Sequence, residues 1–295
     1  MNFEEMRQRI ATGEGFIAAL DQSGGSTPKA LKGYGIEDGA WSSESEMFAL
    51  IHEMRQRIIE SLCFGNGKVI GAILFEKTMD GESGGKPVPE RLAERGVVPF
   101  LKVDKGLEDE AAGVQLMKPM PGLEALCERA RAKGVFGTKM RSVIKRANEA
   151  GIEQIVVQQF AEGRRIMGAG LVPMLEPEYD IHADDRAEGE EILRDSIARH
   201  LDTLGEGEDV MLKLSIPVKA GYYASLIEHP RVLRVVALSG GYSTDEACAK
   251  LAENPGMIAS FSRGLLQDLR HQQSDNEFDT TLGSAIDQIH AASVT

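Results

Sequence analysis

Cysteine is scarce in this chain of 295 residues: there are three, Cys63, Cys127 and Cys248. They are scattered and odd in number, which argues against a disulfide framework or a zinc knuckle and points to a reducing compartment. Long apolar runs are missing too. Nothing reaches the ~18 consecutive apolar residues of a membrane-spanning helix. The start, MNFEEMRQRI, is polar and helix-like and lacks the apolar core of a signal peptide. The expected setting is therefore the cytoplasm. Basic tracts are absent from a chain of net charge −13, which argues against nucleic-acid or anionic-membrane partners. An anionic small ligand responds to local charge and stays open. No G-x-G-x-x-G follows a strand, and there is no Walker-type loop and no H-E-x-x-H. The six histidines (His52, His182, His200, His229, His271 and His290) are dispersed. His182, within IHADD, is the one with a metal-like setting, and a solvated loop is the simpler reading. The cysteines read as helix-packing or strand-flanking residues.

What is present is an ordinary globular composition, 42% hydrophobic and 27% charged. Short apolar runs alternate with amphipathic ones. Strands are expected at GFIAALD (15–21), KVIGAILFE (68–76), VVPFLKVD (97–104), VFGTKMR (135–141), LVPMLEPE (171–178), VMLKLSIP (210–217), VLRVVALSGG (232–241) and MIASFSRG (257–264). Helices are expected between them, among them 123–134, 142–152 and 187–205. Eight strand-then-helix units predict a single-domain (β/α)8 barrel over 1–295, with a C-terminal tail helix. A doubly wound open sheet is the competing topology. Three irregular stretches, 21–43, 105–122 and 176–189, all follow strands, on the face where barrels carry their sites.

Alternation within the strands says which side chains face inward. In MLKLSIP, Leu212, Leu214 and Ile216 share one face and Lys213 takes the other, so Lys213 points into the barrel near its C-terminal rim. By the same parity Lys102 pairs with Asp104, Lys139 with Arg141 and Gly137, Glu176 with Met174 and Val172, Asp21 with Ile17 and Ala19, and Ser239 with Val235 and Ala237. A rim of mutually neutralising ion pairs would explain such a gathering, but so many ionisable groups in one pocket are expensive and favour catalysis. An inward lysine among cations and apolar walls has a depressed pKa, and the neutral amine condenses with a ketone to a Schiff base. A carboxylate must then move protons, with Glu176 and Asp21 as candidates. Lys102, Lys139, Arg141 and Arg263 suit an anionic substrate. The turns LSGGYS (238–243) and SFSRGL (260–265), in the last two units, offer backbone N–H groups to phosphate.

The ordered set ALDQSGGSTPKAL, LKVDKG, TKMRSVI, MLEPE, LKLS, LSGGYS and SFSRG resembles class I, Schiff-base fructose-1,6-bisphosphate aldolase of the bacterial type, over about residues 16 to 266. The resemblance implies a metal-independent lyase without cofactor, cleaving fructose 1,6-bisphosphate reversibly in glycolysis and gluconeogenesis. It implies Lys213 as the Schiff-base lysine, Glu176 as the acid for dehydration with Glu178 in support, and Asp21 as the carboxylate for carbon–carbon cleavage. Lys139 and Lys102 would be charge partners, and Arg141 would bind substrate. Ser26, Ser239, Gly240, Gly241, Ser262, Arg263 and Gly264 would meet phosphate. The chain departs from the animal members in three places. Ala30 stands where they have an arginine, Ser262-Arg263-Gly264 stands for their Tyr-Gly-Arg, and no tyrosine ends the chain. Partners implied are a phosphorylated sugar, with no nucleic acid or membrane; a homo-oligomer is open. The rival readings are a Schiff-base lyase for another phosphorylated sugar, such as tagatose bisphosphate, a non-catalytic sugar-phosphate-binding barrel, and a purely structural ion-pair cluster.

Overall fold

All eight expected strands form, and each pairs in parallel with the next. The computed structural model describes residues 1–22 and 25–295; Ser23 and Gly24, within the ALDQSGGSTPKAL motif, lie outside the described residues. The barrel strands are Phe16–Leu20, Val69–Leu74, Val98–Lys102, Gly137–Ile144, Val172–Tyr179, Val210–Ser215, Val232–Leu238 and Met257–Ala259, in that spatial order. The eighth lies beside the first, so the sheet nearly closes on itself. Helices return between strands and cover the outside, as the right-handed β-α-β crossover requires. The open sheet is thereby set aside.

The interior is filled by one apolar cluster that includes Ile17, Phe100, Met174, Met211, Val236 and Ile258, with a larger cluster between strands and helices. Each such fully buried apolar side chain contributes roughly 1.5–3 kcal/mol. The floor is sealed by the helix Phe3–Thr12, whose Met6 and Ile10 join the inner cluster. Asn2 caps that helix and Glu5 reaches back to the Asn2 N–H.

Two expectations change. The residues 142–152 do not make one helix. The fourth strand runs on to Ile144 because Val114–Gln115 pairs antiparallel with its end, and the helix starts only at Glu149 and continues to Gly168. Asn148 caps it, accepting from Gly151 N at 2.8 Å. In the seventh strand the inward residue is Val236, in register with Lys213, while Val235 and Ala237 pack under the helices. Ser239 lies past the end of that strand, where alternation no longer fixes direction. The stretch 21–43 also holds a helix, Thr27–Gly33, and a short 3-10 turn, Asp38–Ala40. Among the described residues no helix is long and apolar enough to cross a membrane. Cys127 and Cys248 are buried in helices, Cys63 is half-buried in a short turn, and all three are free thiols.

Candidate active site

Four strands deliver four ionisable side chains to one point at the C-terminal rim. Lys213 Nζ, from the sixth strand, lies 3.0 Å from Glu176 Oε1, from the fifth. The other oxygen of Glu176 is 2.7 Å from Lys139 Nζ, from the fourth strand. Lys139 in turn lies 2.8 Å from Asp21 Oδ2, one residue past the first strand. The path Lys213–Glu176–Lys139–Asp21 is almost wholly buried, with side-chain exposures of 4%, 4%, 5% and 10%. The strand register produces it: Leu175 is opposite Leu212, which sets Glu176 beside Lys213, and Arg141 is opposite Glu176, which sets Lys139 one inward step below it.

The charges in this row decide each other's ionisation. Burial works to raise the carboxyl pKa of Asp21, but the ammonium charges of Lys139 and Lys213 outweigh it and hold it well below the usual range. Burial likewise opposes ionisation of Glu176, and Lys139, Lys213 and Arg141 reverse that, so its pKa also falls. Burial disfavours charge on Lys139, and the anions Asp21, Glu176 and Asp104 overcome this and raise its pKa. The surroundings of Lys213 differ from the expected cations and apolar walls in one respect, since a carboxylate stands in contact with its amine.

Two further pairs flank the row. Lys102 Nζ donates to Asp104 Oδ1 at 2.7 Å and to the Asp104 carbonyl at 2.9 Å. Arg141 Nε donates to Glu178 Oε2 at 2.5 Å. Burial would lower the Arg141 pKa, but the bond to Glu178 and its charge raise it, so the guanidinium stays charged. Lys102 and Arg141 are thus each paired with a carboxylate.

The two glycine turns stand next to each other beyond the seventh and eighth strands. Gly240 has φ +62° and Gly241 φ +136°, a region other residues rarely enter. A methyl group on Gly240 would stand 2.6 Å from Ile181 Cγ2, so the turn also needs the absent side chain for packing. A methyl group on Gly241 would be 3.7 Å from Arg263 Nη2 and 3.6 Å from His182 Nε2. That places Arg263 against the 239–241 turn, and among the described residues no carboxylate pairs with it. Ser262 and Gly264 belong to the adjoining turn, and Gly264 approaches Thr244. Ser26 is exposed at the N-cap of Thr27–Gly33.

Sequence reasoning missed two groups here, Gln22 and Arg55, and set a third, His182, aside as a solvated loop residue. His182 is exposed on its loop, as expected, yet its ring abuts Gly241. Gln22, directly after Asp21, donates to Ser262 Oγ at 2.6 Å. Arg55 is buried at 1% exposure and donates to the Gln22 carbonyl at 2.7 Å. The sequence signal for Arg55 is an arginine on the apolar stripe Ile51, Met54, Ile58, Ile59 of the helix Glu44–Glu60.

Known proteins resemble this chain at three levels. The family model "Fructose-bisphosphate aldolase class-I" matches residues 3–204. A Porphyromonas gingivalis protein described as fructose-bisphosphate aldolase class 1 is 56% identical over 295 residues, covering 100% of both chains. A solved Plasmodium falciparum fructose-bisphosphate aldolase, bound to TRAP and a small-molecule inhibitor, superposes with a TM-score of 0.79 at 21% identity, over 98% of this chain and 94% of that one. At that identity the solved structure speaks for the barrel alone. The match over more than half the chain and the full-length likeness carry the assignment, and by them the chain belongs to the class-I fructose-bisphosphate aldolase family.

Proposed function

We propose that the chain cleaves fructose 1,6-bisphosphate reversibly to dihydroxyacetone phosphate and glyceraldehyde 3-phosphate through an iminium on Lys213. The observation that carries this reading is the contact of Lys213 Nζ with Glu176 Oε1 at 3.0 Å, in a row that ends at Asp21. Lys213 must shed a proton before it attacks, and Glu176 is within reach to take it. The free amine adds to the C2 carbonyl. Glu176 returns the proton to the carbinolamine oxygen, which leaves as water and gives the iminium. The iminium draws electrons from the C3–C4 bond. Asp21 accepts the C4 hydroxyl proton as that bond breaks and glyceraldehyde 3-phosphate departs. The enamine left on Lys213 is reprotonated at C3, and water then releases dihydroxyacetone phosphate.

Lys139 serves both carboxylates by keeping them ionised between turnovers. Glu178 acts through Arg141, holding its guanidinium at the rim. Arg141 and Lys102 would receive one phosphate by exchanging their carboxylate partners for it. Ser26, Ser239, Gly240, Gly241, Ser262, Arg263 and Gly264 would receive the other, with Arg263 as its cation. No metal enters these steps. The finer assignments belong to the same proposal: residence in the cytoplasm, which suits three unpaired thiols, and fructose rather than tagatose bisphosphate as preferred sugar.

Borohydride reduction in the presence of dihydroxyacetone phosphate, followed by peptide mapping, tests the reading. The expected adduct is on Lys213, in equal yield with and without EDTA. An adduct on another lysine, or none, overturns the assignment. Comparing kcat/KM for the two bisphosphates decides the sugar.

A further inference from the structure

Arg55 is the largest side chain fully buried in the described protein, and among the described residues no carboxylate forms an ion pair with it. A buried cation without a paired anion is costly and needs polar partners. Its Nη1 donates to Thr78 Oγ1 at 2.7 Å. Its Nη2 donates to both oxygens of Gln22, the carbonyl at 2.7 Å and Oε1 at 3.2 Å. Burial pulls the guanidinium down to about 10, with the charge of Asp21 opposing, so it remains charged at neutral pH.

A guanidinium has donors and no acceptor. Gln22 Oε1 must therefore face Arg55, and its NH2 group must face the other way. There Nε2 donates to Ser262 Oγ at 2.6 Å and to the Ala19 carbonyl at 3.2 Å. A hydroxyl that accepts from an amide directs its own hydrogen to another acceptor. The polarity of the chain is thus fixed from its buried end: Arg55 to Gln22, Gln22 to Ser262, Ser262 outward.

We propose that Arg55 and Gln22 are positioning residues that orient the Ser262 hydroxyl as a donor to a substrate phosphate oxygen, and so tie Gln22, next to Asp21, to the turn carrying Arg263. The proposal rests on the reading of 262–264 as a phosphate turn. In it Gln22 touches Ser262 and not the reacting atoms.

A double-mutant cycle of Gln22→Met and Ser262→Ala tests it, with binding of dihydroxyacetone phosphate measured by calorimetry. Losing a hydrogen bond to a charged group is worth roughly 1.5–3 kcal/mol, so Ser262→Ala should weaken binding about 10-fold or more. Gln22→Met should cost several-fold, and the double variant should be no weaker than Ser262→Ala alone. Dihydroxyacetone, which has no phosphate, should be trapped by borohydride at the same half-saturation in all variants. Arg55→Met should show the phosphate-specific loss, with Arg55→Lys restoring part of it. If Arg55→Met does not fold, the Gln22–Ser262 cycle decides alone. Additive losses, or equal losses for both ligands, overturn the relay. A wild type that binds dihydroxyacetone phosphate but traps none on Lys213 removes the iminium reading and leaves the relay to the cycle. A wild type that binds none removes both.

Discussion

Lys139 is the residue on which the site's charge balance turns. Among the described residues it alone forms ion pairs with both Asp21 and Glu176, at 2.8 and 2.7 Å, and it is itself buried. Removing one member of a buried ion pair strands its partner, at a cost of about 3–5 kcal/mol. Lys139→Met should therefore lower unfolding free energy by about that amount in urea titrations, and should abolish measurable cleavage. A stability loss below about 1 kcal/mol would mean that the two carboxylates find other compensation. At this scale the sequence was highly legible for strand residues. Alternation put Lys102, Lys139, Glu176 and Lys213 on inward faces, and the row between Lys139, Glu176 and Lys213 is what that implies. Arg55 escaped because it rides on a helix, where its only trace is a break in an apolar stripe. Gln22 escaped because an amide next to a carboxylate has no signature of its own. What Lys213 touches was not legible either, since the contact with Glu176 depends on the register between two strands.

At the scale of elements, the turn after the seventh strand is tightly constrained by its backbone and its neighbours. Gly240 combines φ +62° with a Cβ position 2.6 Å from Ile181. A side chain there meets both a left-handed backbone, costing roughly 1–2 kcal/mol, and a clash with the loop that follows the fifth strand. Gly240→Ala should raise KM for the bisphosphate several-fold more than it lowers kcat, since the turn is assigned to binding and the Lys213 row is left in place. A kcat defect with unchanged KM would move the turn out of the phosphate site. The turn was visible in the sequence as LSGGYS, but the strand before it was misread. Val236 faces inward in register with Lys213, and after Arg234, whose guanidinium is taken up by the Ala11 and Gly13 carbonyls, the run VVAL is uniformly apolar and gives alternation nothing to act on. The helix expected over 142–152 failed for a related reason, because a strand whose end is paired by Val114–Gln115 outlasts its apolar run.

For the whole molecule, the eight units could be counted from the sequence, and the barrel followed from the count. The pH dependence of stability belongs to this scale, because the row at the rim ties four strands together. Asp21 and Glu176 have folded pKa values below the ordinary 3.8 and 4.5, so their contribution is fully present above those values and is lost as pH falls through the folded ones. Lys139 has a folded pKa above the ordinary 10.5, so its contribution is complete below that and is lost as pH rises through the folded value. The gap in unfolding free energy between wild type and Lys139→Met should thus be widest from pH 4.5 to 10.5 and shrink on both sides. A gap that peaks in acid would assign the lowered pKa values to other neighbours. What no periodicity announced is the role of the opening helix, because an amphipathic pattern shows that one face is buried but not against what.

That opening helix has a consequence for how the chain reaches its native state. Arg7 pairs with Asp209, and Arg234 holds the carbonyl oxygens of Ala11 and Gly13 at 2.8 and 3.2 Å. Those partners of the helix are therefore made some two hundred residues after it on the ribosome, whereas the carbonyls of Gly67 and Gly96 that Arg9 holds come earlier. Ile10 meets the second strand at Gly71, but the helix gains its remaining anchors only once the seventh strand has been synthesised, so its docking is completed late.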